Sequence, residues 1–141
     1  LSLSPIGAYL AVSETFNIIP LIFSLIVLLW VSGFDIIYSL QDEDFDRINK
    51  LHSIPVLLGK RNALKFSKTL HIITSIIIIL LGTKNDFGIF YWIGSFIFIA
   101  LLLYQHSLIK IDNLSKINIV FFTTNGVASV IFGFFVILEI L

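Results

Sequence analysis

Long apolar runs alternate with short polar segments along the chain. The clearest run, FNIIPLIFSLIVLLWVSGF, covers residues 16–34 without a charged side chain. Its length is close to the roughly 20 residues that a helix needs to cross a bilayer. Three further runs, at residues 70–82, 87–104 and 117–141, predict three more spans. The first of these, residues 70–82, is extended back to residue 66, so that Lys68 lies at the membrane interface.

Residues 1–13 predict the second half of an additional helix, because Pro5 and Gly7 are tolerated in membrane helices. The chain starts with Leu1, and its first residues lack the basic region and the cleavage site of a signal peptide. We therefore expect a part of a longer membrane protein. The predicted fold is an all-α transmembrane bundle with four complete spans and the end of a fifth.

Composition supports a membrane location. Hydrophobic residues make up 57% of the chain and charged residues 13%, and the mean hydropathy is +1.02. This is more apolar surface than one small soluble core buries. The formal net charge is zero, which argues against general attraction to nucleic acid. No cysteine is present, so neither a disulfide nor a thiolate metal site is available.

The basic residues indicate which side of the membrane each loop occupies. Of the nine Lys and Arg residues, only Lys84 falls on one side of the predicted spans. The others lie in residues 35–69 and 105–116. Cytoplasmic loops carry the excess of basic residues in membrane proteins. The segment after the first span is therefore predicted to be cytoplasmic.

This segment, SLQDEDFDR, concentrates carboxylates at the membrane boundary. If the first span continues as a helix, a rotation of 100° per residue places Asp42 and Asp46 each within about 20° of Asp35. Asp44 then faces away and Glu43 lies on the flank. Clustered carboxylates without nearby His or Cys favour Mg²⁺ or Ca²⁺. The alternative is a solvated acidic turn neutralised by basic neighbours.

The next residues, RINKLHSIPVLLGKRNALKFSK, mix cations with hydroxyl and imidazole groups. Arg47, Lys50, His52 and Ser53 suit a phosphate-rich ligand, held partly by a metal and partly by direct contacts. Lys65 and Lys68 suit contact with anionic lipid headgroups.

The run DIIYSLQDEDFD, at residues 35–46, resembles a known motif. It matches D-x-x-Y-[AS]-x-x-D-x-x-x-D, the second aspartate-rich motif of the UbiA superfamily of intramembrane prenyltransferases. The continuation RINKLHSIPVLLG is similar to members that prenylate 4-hydroxybenzoate and to related menaquinone-pathway members. Residues 104–126 resemble the last loop and final helix of that family.

The resemblance implies a nine-helix bundle whose two aspartate-rich motifs bind the diphosphate of a polyprenyl donor through Mg²⁺. Asp42 and Asp46 would be Mg²⁺ ligands. Asp35 and Tyr38 would be catalytic, Asp35 as a support or acceptor-side contact and Tyr38 as a wall of the cavity. The predicted diphosphate contacts are Arg47, Lys50, His52 and Ser53.

Two departures from the family pattern accompany the resemblance. The first motif, N-x-x-x-D-x-x-x-D, is absent from this sequence, as are roughly four helices before residue 1. Residues 1–141 would thus be the C-terminal part of one prenyltransferase domain, inactive without the missing N-terminal half. Lys50 also stands where relatives often have Gly.

The implied function is polyprenyl transfer to an aromatic acid such as 4-hydroxybenzoate, in ubiquinone or menaquinone biosynthesis. The expected location is the bacterial inner membrane, with the acidic motif cytoplasmic and no nucleic-acid partner. One alternative is a transporter or assembly subunit with a cation-binding vestibule. Another is a superfamily branch that makes haem, chlorophyll or lipid-ether products.

Other polar residues near the spans are interpreted as structural. His71 and His106 are predicted to be interfacial, and Glu139 to reach water. Asn125, with Thr123 and Thr124, is predicted to hydrogen-bond between helices.

Overall fold

The computed structural model describes residues 1–111 and 114–140, without the side chain of Phe121. The helices in this part of the chain are α1 (Ser4–Ser13), α2 (Ile18–Ser39), α3 (Glu43–Ile48), α4 (Ile54–Leu58), α5 (Lys60–Lys84), α6 (Ile89–Leu108), a π-helical segment (Ile119–Thr124) and α7 (Asn125–Ile140).

Four of these helices are long and apolar enough to cross a membrane. They are Ile18–Ser39, Lys60–Lys84, Ile89–Leu108 and Phe122–Ile140, the last of which joins the end of the π-helical segment to α7. The prediction of an all-α bundle with four spans is confirmed, and α1 forms within residues 1–13 as expected. The second span begins earlier than predicted, at Lys60. Its first turns are basic and extend the helix beyond the apolar run.

Local chemistry sets the ends of the first two spans. The side chain of Asn17 accepts a hydrogen bond from the Ile19 N–H at 2.9 Å and so caps α2. Gly59 lies between α4 and α5 with a φ of +77°, a conformation that residues with a Cβ rarely adopt. The glycine therefore allows the chain to turn from α4 into the second span.

The spans pack as antiparallel neighbours, α2 against α5 and α6 against α7. The close approach of α2 and α5 depends on Gly33, since a Cβ there would lie 2.3 Å from His71 Nε2. The Ser67 hydroxyl donates to the Gly33 carbonyl at 2.7 Å. Small residues and hydrogen bonds of this kind are how membrane helices associate.

His71 is buried against neighbouring helices and has hydrogen-bond partners there, which the sequence did not indicate. It is 3% exposed, and its Nε2 lies 3.0 Å from the Trp30 carbonyl oxygen. Because a carbonyl only accepts, Nε2 carries the hydrogen and Nδ1 is the acceptor. Nδ1 lies 2.8 Å from His106 Nε2 and 2.9 Å from Gln105 Nε2. We call His71, Gln105, His106 and the Trp30 carbonyl the histidine node, which joins α2, α5 and α6.

Glu139, predicted to reach water, has a structural role at the other end of the bundle. Its carboxylate accepts hydrogen bonds from the Gly88 N–H at 2.5 Å and the Tyr91 N–H at 3.2 Å. These N–H groups belong to the start of α6, where a carboxylate is favourable. Glu139 therefore ties the end of α7 to the beginning of α6.

Candidate functional site

The acidic loop, residues 40–53, does not continue the first span. Helix α2 ends at Ser39, and the N–H groups of Leu40, Gln41 and Asp42 bond to carbonyls three residues earlier. Such bonds tighten the end of a helix. The continuous helix that would align Asp35 with Asp42 and Asp46 is therefore not formed, and the prediction of a single stripe is wrong.

Asp42 and Asp46 nevertheless remain neighbours. Asp42 is the residue before α3, and its carbonyl accepts a hydrogen bond from the Asp46 N–H at 2.8 Å. Residues four apart on a helix have adjacent side chains. Asp42 is exposed and Asp46 is half-buried. The two carboxylates therefore sit one turn apart on the same flank of α3.

The end of α3 fixes the shape of the following turn. Lys50 has a φ of +55°. Its N–H bonds to the Arg47 carbonyl at 3.3 Å, and the Leu51 N–H bonds to the Asp46 carbonyl at 2.8 Å. This pair of bonds is a Schellman motif, which usually has Gly at the left-handed position. The turn therefore forms with Lys50 in the left-handed position that Gly usually occupies in this motif.

Two of the acids in the loop are neutralised within the chain. The Glu43 carboxylate bonds to the Arg47 guanidinium through Oε1, and its Oε2 lies 3.4 Å from Lys60 Nζ. Lys60 Nζ also lies 3.4 Å from Asp44 Oδ2. The hydrogen bond from Arg47 lowers the pKa of Glu43, and the same contact raises the pKa of Arg47.

The other three acids differ in this respect. Within residues 1–111 and 114–140, the carboxylates of Asp35, Asp42 and Asp46 make neither an ion pair nor a side-chain hydrogen bond. These are the residues that the sequence pattern favours for metal and substrate. The sequence also allowed an acidic turn neutralised by Arg47 and Lys50. This alternative holds for Glu43, which pairs with Arg47, but not for the other three carboxylates.

A cavity of about 650 Å³ opens beside the acidic loop. Three predicted site residues, Asp35, His52 and Ser53, line it together. Its other lining residues are Leu28, Leu29, Ser32, Ile36, Ser39, Ile54, Phe66 and Leu70. The cavity thus lies between the C-terminal half of α2, the start of α4 and the first half of α5. Polar groups form one wall, and apolar groups surround them.

The remaining predicted residues lie outside the lining of this cavity. Tyr38 follows Asp35 by three residues on α2 and is exposed. Arg47 and Lys50 are exposed on α3 and on the turn after it. Asp42 directly precedes α3, and Asp46 lies on it. The structure therefore divides the predicted site into a cavity group and an α3 group.

The donor set of α3 fits Mg²⁺. Mg²⁺ is commonly held by one or two carboxylates, with water and substrate phosphate completing the coordination. In the described part of the chain, no group of three or more His, Asp or Glu side chains is placed to hold a metal. Asp42 and Asp46 thus fit a metal site in which a phosphate ligand completes the coordination. They do not form a complete set of metal ligands by themselves.

Sequence reasoning missed Glu43 and Lys60. Glu43 is 6% exposed, although it lies in the most acidic segment of the chain. The spacing of Glu43 and Arg47, with the acid four residues before the base, is the signal that could have indicated a pair. No local pattern indicated Lys60, because it is distant in sequence.

A second cavity, of about 680 Å³, lies between α1, α2, α6 and α7 and extends to the opposite end of the bundle. It is almost entirely apolar and includes the rings of Phe23, Trp30, Phe98 and Phe132. These rings pack on one another, with centroids 5.1 Å apart for Trp30 and Phe98 and 4.9 Å apart for Phe98 and Phe132.

The fold and site define an integral membrane protein with apolar helices and a loop of unpaired carboxylates at one end. Residues 1–127 match the model of the UbiA prenyltransferase family, and the chain belongs to that family. This agrees with the resemblance of residues 35–46 to its second aspartate-rich motif.

Curated relatives of the chain are bacterial enzymes. It is 31% identical over 91 residues to a 4-hydroxybenzoate octaprenyltransferase of Francisella tularensis subsp. novicida, an alignment that covers 62% of this chain and 32% of the relative. It is 30% identical over 81 residues to the protein of the same name from Pseudoalteromonas translucida, covering 57% and 27%. The chain thus spans about a third of the length of these relatives. No solved structure matches it.

Proposed function

We propose that the protein containing this chain transfers a polyprenyl group from polyprenyl diphosphate to an aromatic acid of the 4-hydroxybenzoate type, releasing diphosphate. Family membership supports the reaction class. The observation that carries the assignment to this chain is that Asp35, Asp42 and Asp46 have no side-chain partners among the described residues, while their neighbours Glu43 and Asp44 are paired.

Asp42 and Asp46 would hold Mg²⁺ at the outer flank of α3. The chemistry supplied by Mg²⁺ in such a site is neutralisation of the charge that develops on the departing diphosphate. The two aspartates place negative charge on adjacent helical positions, which is unfavourable unless a cation is bound. Binding of a cation between these two aspartates is therefore favoured.

His52, Ser53, Lys50 and Arg47 are proposed to bind and orient the diphosphate. His52 and Ser53 line the cavity, whereas Lys50 is exposed on the turn before them. Arg47 is bound to Glu43, so a contact with diphosphate requires a second hydrogen-bond donor of the guanidinium or an exchange of partners.

Asp35 is proposed to act as a support or as an acceptor-side contact, and Tyr38 is proposed to act near the reacting carbon of the donor. Asp35 lines the cavity and lies on the same side of α2 as Ser32 and Ser39, which also line it. The apolar wall, which includes Leu28 and Phe66, excludes water, and water would otherwise capture an allylic cation. The ring face of Tyr38 is suited to stabilise that cation.

Residues beyond this chain are proposed to complete the site. The chain supplies two neighbouring carboxylates and spans about a third of its relatives, so further ligands from the remaining helices are required. We place the reaction in ubiquinone or menaquinone biosynthesis. We also place the acidic loop on the cytoplasmic side of the bacterial inner membrane, because the basic residues concentrate on that side.

The test is an assay of the full-length protein in membranes, with a polyprenyl diphosphate and 4-hydroxybenzoate. Prenylated product and diphosphate should form in equal amounts, stop after chelation of divalent cations and return on addition of Mg²⁺. Diphosphate release without a prenylated aromatic product, or product formation that resists chelation, would contradict the proposal. A transporter or assembly subunit would release no diphosphate.

A further inference from the structure

Glu43 is a buried acid in a short helix whose other residues are exposed or half-buried. It is 6% exposed, and it is the one buried residue of α3. Removing a carboxylate from water is costly unless cations and hydrogen bonds compensate. A role in the structure or in the site must therefore account for its position.

Both oxygens of this carboxylate have a cationic partner. Oε1 bonds to Arg47, one turn along α3, and Oε2 lies 3.4 Å from Lys60 Nζ. Lys60 is the first residue of α5, and its side chain is 26% exposed. The Glu43–Lys60 pair is thus partly shielded from solvent, which strengthens it relative to a surface pair.

This pair closes the segment that carries most of the predicted site. Residues 43–60 begin next to Asp42 and contain Asp46, His52 and Ser53. With both ends of the segment joined, α3 and α4 are held over the start of α5. Without this contact, α3 would be held over the start of α5 mainly through α4, which itself packs on α5 and α2.

The pair also fixes the direction in which α3 presents its aspartates. At 100° per residue, Asp42 and Asp46 lie on the same side of Glu43, about 60° to 100° around the helix. Seating Glu43 against Lys60 therefore prevents α3 from rotating about its axis. The flank with Asp42 and Asp46 then keeps one orientation toward the rest of the loop.

We propose that Glu43 is a positioning residue, which uses its bond to Lys60 to hold Asp42 and Asp46 in the orientation that binds the metal–diphosphate unit. This inference rests on the proposed function. It predicts that loss of the Glu43 charge weakens metal use without removing any ligand of the metal.

The experiment measures the Mg²⁺ concentration for half-maximal prenyl transfer by the full-length protein. Glu43→Gln keeps the size of the side chain and removes its charge. We expect the half-saturating Mg²⁺ concentration to rise about tenfold, as for other residues that orient metal ligands, with turnover at saturating Mg²⁺ largely retained. Lys60→Met should have the same effect, and the double variant should be no worse than either single one.

Asp44 provides the matched control, because it lies at the same 3.4 Å from Lys60 Nζ but its side chain is 80% exposed. Asp44→Asn should leave the Mg²⁺ requirement unchanged and should add no coupling to Lys60→Met. Thermal unfolding without Mg²⁺ is measured for each variant. A purely structural Glu43 would lower the unfolding temperature and leave the Mg²⁺ requirement of the folded protein unchanged.

The outcomes separate this inference from the function on which it rests. If Glu43→Gln has a normal Mg²⁺ requirement while Asp42→Ala is inactive, the positioning role is wrong and the proposed function stands. Additive effects of Glu43→Gln and Lys60→Met would also overturn the positioning role. If Asp42→Ala is fully active, the proposed function fails and the positioning role fails with it.

Discussion

The histidine node and the acidic loop are two polar regions of a mainly apolar chain, and they satisfy their polar groups differently. Both nitrogens of His71 have partners within the chain, on α2 and α6. In the acidic loop and the turn before it, Asp35, Asp42 and Asp46 have no such partners among the described residues. One region bonds both nitrogens of its buried imidazole internally, although Gln105 Oε1 there has no hydrogen-bond partner among the described residues, and the other leaves charges available.

This difference follows from burial between helices. Where packed helices exclude water, a buried imidazole persists only with hydrogen-bond partners from neighbouring helices. At the membrane boundary, water can solvate a carboxylate until a ligand replaces it. The node therefore contributes to helix packing, whereas the unpaired acids are the groups suited to bind a cation.

The largest predicted effect is on activity. In the full-length protein, Asp42→Ala or Asp46→Ala should abolish turnover, because each removes a proposed metal ligand. Asp44→Ala should change turnover by less than about twofold, since Asp44 forms only an exposed ion pair. Product formation per folded molecule is the measurement. Equal tolerance of all three substitutions would remove the distinction between paired and unpaired acids.

The next effect is on stability. Gly33→Ala should destabilise the bundle by about 1–3 kcal/mol, because overpacking forces side chains or the backbone to move. The added Cβ would lie 2.3 Å from His71 Nε2. Gly126→Ala is the matched control, since nothing lies within 4 Å of its Cβ position. Thermal unfolding in detergent measures both variants, and an equal loss for both would argue against close packing at the node.

Lys50→Gly should have a smaller effect, in the stabilising direction. A residue with a Cβ in the left-handed conformation costs about 1–2 kcal/mol relative to Gly, part of which is offset by the greater freedom of Gly in the unfolded chain. The net gain should be about 0.5 kcal/mol. Chemical unfolding measures it, and destabilisation by Lys50→Gly would contradict the Schellman geometry of the turn.

The smallest effect concerns pH. The pKa of Glu43 is lowered from its usual value of 4.5 by the bond from Arg47. A lowered folded-state pKa means that the pairing stabilises the fold above the usual value and is lost as the pH falls through the folded value. The difference in unfolding temperature between the wild type and Glu43→Gln should therefore shrink as the pH falls below 4.5. A difference that stays constant with pH would exclude an ionised Glu43 as its cause.

The sequence predicts the spans well because length and apolarity determine them. The run at residues 16–34 must be helical in a bilayer, whatever its partners. The break after Ser39 was missed, because residues 40–42 contain neither Gly nor Pro and end the helix through bonds three residues back. Local patterns did not distinguish a continuing helix from this tightened end.

Long-range partners explain the other misses. His71 bonds to His106, which is 35 residues away, and Glu139 caps a helix that starts about 50 residues earlier. Both pairs depend on which spans are neighbours, and a single sequence does not give that information. The motif at residues 35–46, in contrast, lies within one segment, so its candidate residues were identified from the sequence, although their alignment in one stripe was not correct.

Binding of Mn²⁺, as a spectroscopic substitute for Mg²⁺, tests the central claim most directly. Electron paramagnetic resonance of the full-length protein with inorganic diphosphate measures the bound fraction. The Asp42→Asn/Asp46→Asn double variant should lose Mn²⁺ affinity by more than about tenfold, and Asp44→Asn should bind as the wild type does. Wild-type Mn²⁺ affinity in the double variant would contradict the claim that the unpaired carboxylates hold the metal.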